Sequence, residues 1–325
     1  MPSIFIDRLT DGYRPLLEQG FEWLGLRSRL TPGTKVAIKP NLTFPTFRPG
    51  VMTNPAVLEA LIGVLRDCSC QVTIVESDSG GYNRFSMDEV FAATGIRSLA
   101  RKFDVQLTNL SYAIGRPITI PVGKRNLTVQ LPACLLDSTD LLLTVPVPKV
   151  HLNTVVSLSV KNQWGIIQNP SDRLRLHPDF ADVIYGVIKA MPPIISVVDG
   201  RYGLTRSGPM EGDPVDLNWG LLSDDLFRAD LLCCQLMGIN PFSVPYLRAL
   251  FRKEGITDLS DVRLNQDPSG FVVSPPFFLK RKWTDYPGLW AFNSRFLAYL
   301  GYRSPLAGFL HRMLYLFRTP FYNYR

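Results

Sequence analysis

The segment 141–165, LLLTVPVPKVHLNTVVSLSVKNQWG, constrains the fold of this chain more than any other. It opens on an unbroken apolar run, LLLTVPV, the pattern of a strand covered on both faces in an α/β sheet. The run stops at Pro148, and Lys149 and His151 follow at once. A second β-branched segment, 154–160, reads as another strand and delivers Lys161 with Asn162 beside it. Two cations, an imidazole and an amide thus stand just past two strand ends. Open α/β sheets bind their ligands there.

The flanking sequence follows the same grammar. Residues 13–26 space their apolar positions as an amphipathic helix does. Residues 35–38 form a short strand ending in Lys39-Pro40-Asn41. Thr53-Asn54-Pro55 is a helix start, a capping side chain before a proline in the first turn. The next strand, 72–75, runs into Glu76-Ser77-Asp78-Ser79-Gly80-Gly81. Helices are predicted at 87–94 and 98–103, and a strand at 104–107. Residues 118–131 alternate about Gly123-Lys124, a β-hairpin expected to add antiparallel strands to the sheet. Helix 179–190 and strand 194–198 lead to Asp199-Gly200 and a glycine-rich loop. A short strand at 219–222 and a helix at 225–237 complete the order, which predicts a mixed, mostly parallel sheet flanked by helices.

We expect an α/β domain over residues 1–250 and a distinct C-terminal element over 251–325. From Pro275 onward Lys280, Arg281, Lys282, Arg295, Arg303, Arg312, Arg318 and Arg325 face one acid, Asp285, among many aromatics. Its stretches 289–300 and 306–317 pattern as amphipathic helices, too broken by arginine to span a bilayer but suited to lie on one. Net charge is +7 and pI about 9.2, which suits an anionic ligand or a membrane surface through 275–325. No nucleic-acid module accompanies the charge, so nucleic acid is not an expected partner. Charged residues make up 19% of the chain, below the roughly 25% of an average globular protein, so the chain has a sizeable core. Cys233 and Cys234 fall in a helix-like run, and Cys68 and Cys70 lack a second pair at metal spacing. Neither an iron–sulfur cluster nor structural zinc is expected, and a reducing compartment fits. Asp7 is met early with no basic leader before it, so a cytoplasmic place is expected, peripheral at the inner membrane surface.

The candidate site is the polar set at the strand ends: Lys39, Asn41, Asp78, Lys149, His151, Lys161, Asn162, Asp199 and Asp225, with His177 as either a site residue or a helix cap. Each alone is as simply a loop or capping residue. The same register, polar directly after apolar strand, recurs at five or six strands, and that points to a cleft. Lys39, Lys149 and Lys161 would hold an anion. His151 would be the general acid/base, since an unperturbed imidazole titrates near neutral pH. Lys149, His151 and Lys161 are the predicted catalytic residues. Asp199 and Asp225 would orient a base or hold a divalent cation, the one cofactor considered. His311, among arginines and aromatics, reads as a surface residue. The expected activity is proton transfer of isomerase or lyase type on a small or headgroup-like anion. The alternative is a non-catalytic binding or scaffold protein at a membrane surface.

A longer pattern joins these pieces. VAIKPNL at 36–42, TNP from Thr53, IVESDSGG at 74–81, the segment 145–165, His177, VVDGRYG at 197–203, Gly208-Pro209, Gly212 and SDDLFRADLLCCQLMG at 223–238 occur in order. This series resembles the domain-of-unknown-function 362 family. Asp225 and Asp230 stand where that family carries paired aspartates, whereas Phe227-Arg228 replace its small residues. The family's ferredoxin-type cysteine motif is absent, so the resemblance implies no cluster. The strand-loop plan is similar to the N-terminal domain of lactate-racemase-like proteins, whose basic set around a small hydroxy acid Lys149, His151 and Lys161 would imitate. No motif for their nickel cofactor is present.

Overall fold

The apolar run of the central segment lies in the middle of a sheet, in a computed structural model that describes residues 1–79, 85–302 and 304–317. The strands are β1 (Ser3–Arg8), β2 (Lys35–Pro40), β3 (Gln71–Glu76), β4 (Gln106–Asn109), β5 (Gly115–Val122), β6 (Arg125–Pro132), β7 (Leu141–Val145), β8 (Lys149–His151), β9 (Val155–Ser157), β10 (Ile194–Thr205), β11 (Asp213–Ser223) and β12 (Arg263–Leu264). The main sheet runs β12-β1-β11-β10-β7-β2-β3-β4, and β8 and β9 continue from β10. Strands β10, β7, β2, β3 and β4 are parallel, and β11 runs against its neighbours β10 and β1. The sheet is therefore mixed and mostly parallel.

Every residue of β7 is buried because its alternating side chains feed two cores. Leu142 joins Ile4, Ile6 and Val198 on one face. Leu141 and Leu143 join Phe5, Ile38 and Ile74 on the other. The helices Tyr13–Trp23 and Pro55–Asp67 cover the second face, and Phe180–Ala190, Leu226–Leu236 and Pro245–Glu254 cover the first. Each fully buried leucine contributes roughly 1.5–3 kcal/mol. The start of Pro55–Asp67 is as the sequence predicts: Asn54 accepts from the Ala56 amide at 3.0 Å and Pro55 opens the first turn.

The structure departs from the sequence reading in several places. The hairpin β5–β6 forms a separate two-stranded sheet and does not extend the main one. Its Ile120 packs on Gly186 of the helix Phe180–Ala190, where even a Cβ would come within 2.4 Å of the isoleucine. The segment 154–160 is extended only over Val155–Ser157; Lys161 sits in the short helix Ser159–Asn162. The glycine-rich region after Asp199 is strand as far as Thr205, since β11 supplies the ladder, with a bulge between Gly200 and Tyr202. Residues 251–279, assigned above to the C-terminal element, pack with the α/β body: β12 pairs with β1, and Val262, Phe271 and Phe277 enter the core.

Three helices follow, Tyr286–Asn293, Arg295–Tyr302 and Ala307–Phe317. Among the described residues, no helix is long and apolar enough to cross a membrane. Gly80, Gly81, Arg303, Arg318, Arg325 and the side chain of His311 lie outside the described residues.

Candidate active site

The carboxyl ends of β2, β3 and β7 share one edge, where Lys39, Asn41, Asp78 and Lys149 emerge. Asp199 joins them although it lies inside β10. That strand outruns its neighbour, and the Asp199 amide donates to the Pro146 carbonyl at 2.9 Å, just past the end of β7. Asp225 is not brought there. β11 is antiparallel, so the chain leaves Ser223 toward the amino ends of β7 and β10. Asp225 instead caps the helix Leu226–Leu236, accepting from the Arg228 amide at 2.8 Å, and pairs with the Arg228 guanidinium at 2.9 Å.

Lys39 is paired inside the protein. Its ammonium is 1% exposed and donates to both oxygens of Glu76, at 2.9 and 2.8 Å. Burial pushes the ammonium's pKa down and Glu76 pulls it back. Gly165 closes over the pair: a Cβ there would lie 2.8 Å from Lys39 Nζ and 3.0 Å from Glu76 Oε1. Gly165→Ala should therefore cost about 1–3 kcal/mol through overpacking, measured by urea unfolding.

The short helix Ser159–Asn162 is fixed by Asp230, which is fully buried. Its two oxygens accept from the Ser159 and Val160 amides at 2.7 and 3.0 Å. These bonds oppose the effect of burial, which nevertheless pushes the carboxyl up to about 7. Asn162 then bonds Thr144 Oγ1 at 2.8 Å and accepts from Asn41 at 3.2 Å. Asn41 in turn accepts from Lys149, whose ammonium also donates to the Val51 carbonyl. A chain of amides thus holds Lys149 at a set place. Burial lowers that lysine to about 7, with Lys161 adding to the effect.

Lys161, half-buried, has no hydrogen-bond or ion-pair partner among the described residues, and its ammonium lies 5.9 Å from the centre of the Phe180 ring. Burial and the nearby cations Arg173 and Lys39 lower it to about 8. Arg173, in the helix Pro170–Arg175, donates to the Asp78 carbonyl, and its buried Nε has no partner among the described residues. His177 packs against Phe180 at 5.3 Å, and its Nδ1 is likewise buried with no partner among the described residues. Burial takes His177 down to about 3.

His151 accepts at Nδ1 from the amides of Asn153 and Thr154, at 3.1 and 3.4 Å. That leaves the proton on Nε2. Burial first, then Lys161, His177 and Lys149, push this imidazole well below its usual range. It is held as a neutral imidazole near pH 7, with Nε2–H as its donor. Asp199 is also spoken for: it accepts from Tyr13 Oη and the Asn54 amide, both at 2.7 Å, and from the Arg201 amide at 3.2 Å. A cavity of about 750 Å³ is lined by Tyr13, Asn54 and Arg201, which bond Asp199, but the Arg201 guanidinium on its wall is held by Asp216 and Asn218.

Asp78 accepts from the Met87 amide at 2.6 Å and from Asn109 at 2.9 Å. Among the described residues, no group of three or more His, Cys, Asp or Glu side chains is placed to hold a metal ion. Glu76, Arg173 and Thr144 were missed from the sequence. Glu76 had a signal, an acid ending a strand beside one that ends in lysine. Arg173 had none, since its segment reads as a surface helix turn.

A family model described as "Domain of unknown function (DUF362)" matches residues 36–235. A thylakoid-associated protein of Synechocystis is 24% identical over 233 residues, which is 69% of this chain and 70% of that protein. Among solved structures, the lactate racemase apoprotein of Thermoanaerobacterium thermosaccharolyticum aligns with a TM-score of 0.43 at 19% identity, over 65% of this chain and 51% of its own. A Thermotoga maritima protein aligns with a TM-score of 0.40 at 14% identity, over 69% and 58%. This chain thus spans about half of the racemase's length.

Proposed function

This chain belongs to the DUF362 family, a domain of unknown function, and from its site we propose an enzyme that binds a small anion and moves a proton on it, in a reaction of isomerase or lyase type. One observation carries the reading. Lys149, Lys161 and Arg173 are crowded at the sheet edge, and none is ion-paired to a carboxylate among the described residues. Like charges in a desolvated place repel and cost stability unless a counter-ion joins them. A carboxylate or phosphate group supplies it.

In this reading Arg173 and Lys149 anchor the anion. The neutral His151 donates through Nε2 to an oxygen that gains charge as the reaction proceeds. Lys161, unpaired and lowered to about 8, takes up and returns the proton. Lys39, Asp199 and Asp230 hold the frame.

The test is a panel of small carboxylates and phosphomonoesters. A ligand should raise the melting temperature of the full chain, and the same compound should exchange a carbon-bound hydrogen for deuterium in D2O by NMR. Stabilisation without exchange would support the non-catalytic alternative. No stabilisation by any anion would remove the reading altogether.

A further inference from the structure

Several large apolar side chains after residue 280 stand in the open among the described residues. Trp283 is 83% exposed, Trp290 63% and Phe296 71%. Tyr299, Leu306 and Phe309 are more than half exposed as well. No residue of the helix Tyr286–Asn293 is buried. Packing on the α/β body therefore does not account for these aromatics. So many exposed large apolar side chains within thirty residues of a folded chain mark an interaction site.

Its charge identifies the partner. Exposed Lys280, Lys282, Arg295 and Arg312 are interleaved with the aromatics, and the single acid of the segment, Asp285, accepts from the Lys282 amide. Tryptophan and tyrosine beside lysine and arginine on short helices that cannot span is the composition of an interfacial surface. We propose that residues 280–313 dock this chain on an anionic lipid bilayer, the helices lying flat with Trp283, Trp290, Phe296 and Phe309 at headgroup depth.

Docking is also tied to the site. Phe292 packs on His177 at 5.1 Å, Arg295 pairs with Asp179 at 2.6 Å, and Arg281 donates to the Leu152 carbonyl at 2.8 Å. The segments that carry His151, Arg173 and His177 are thus directly beneath the tail. The surface stands or falls independently of the reaction assigned to that site.

The experiment is flotation of the full-length chain with vesicles of phosphatidylcholine containing phosphatidylglycerol, against phosphatidylcholine alone. The chain should float with the anionic vesicles, and binding should weaken as salt rises. Trp283→Ser, Trp290→Ser and Phe296→Ser together should lower partitioning at least about ten-fold while the melting temperature holds, because all three side chains are exposed. Lys280→Gln, Lys282→Gln and Arg312→Gln should each lower it about five-fold. Brominated lipid should quench the tryptophan fluorescence of the native chain. Absence of flotation with anionic vesicles would overturn the proposal, as would partitioning unchanged by the triple aromatic variant. So would concentration-dependent dimers without vesicle binding, which would make this face a contact between copies.

Discussion

Glu76→Ala should lower stability by about 3–5 kcal/mol, the usual cost of breaking one partner out of a buried ion pair. The cause is the ammonium left behind. Lys39 is 1% exposed and has Glu76 as its sole charged partner among the described residues. Without it Lys39 must give up its proton or carry an unpaired charge in the core. The Ser77 amide, which donates to Glu76 at 2.9 Å, is orphaned as well. Replacing both residues with apolar ones of similar size, Lys39→Met with Glu76→Leu, should recover most of the loss. Urea unfolding of the two variants decides it. A single variant within ~1 kcal/mol of the native chain would mean that the pair is open to water. Anion binding should survive in the double variant, because Lys39 is spent on Glu76.

Lys161→Gln should have the opposite effect on the ligand-free protein. The folded chain holds this lysine at about 8, against 10.5 when unfolded. Below about 8 both states carry the proton and the penalty of the buried charge is fully present. Between 8 and 10.5 the unfolded chain binds the proton and the folded chain does not, so stability climbs with pH. Lys149, at about 7, adds the same sign from a lower starting point. Removing the charge should therefore stabilise the ligand-free chain near neutral pH by about 1–3 kcal/mol, after allowance for partial exposure. The variant should also flatten the alkaline climb. The same change should weaken stabilisation by anions, because one of the three crowded cations is lost while Arg173 and Lys149 remain, and lower any turnover by about 10²–10⁴-fold. Unfolding curves across pH 6 to 10, with and without the anion, measure both effects. A variant that is less stable than the native chain, yet binds anion as tightly, would make Lys161 a structural residue.

On the acid side the histidines act with the same sign. His151 and His177 refuse protons in the folded chain that the unfolded chain accepts below 6.5. Stability should fall as pH drops through 6.5 toward 3, beyond what the carboxylates explain.

The sequence by itself determined the sheet and the family. A short apolar run such as LLLTVPV, β-branched in part and stopped by prolines, favours a strand between two covered faces over a buried helix, and alternation or 3.6-residue spacing names the elements around it. Strand ends follow from where polarity returns, so Lys39, Asn41, Asp78 and Lys149 could be placed on one edge without coordinates. Asp225 could not, because the direction of β11 is a property of its pairing and not of its own residues. Nor could local pattern tell a free cation from a paired one. Lys39 is satisfied from 37 residues away, Asp199 is bound by a tyrosine 186 residues away, and the helix of Lys161 is held by an aspartate 71 residues from its first turn. Only the packed chain decides which charges meet. The desolvation that meeting imposes then sets which of them stay available for a ligand.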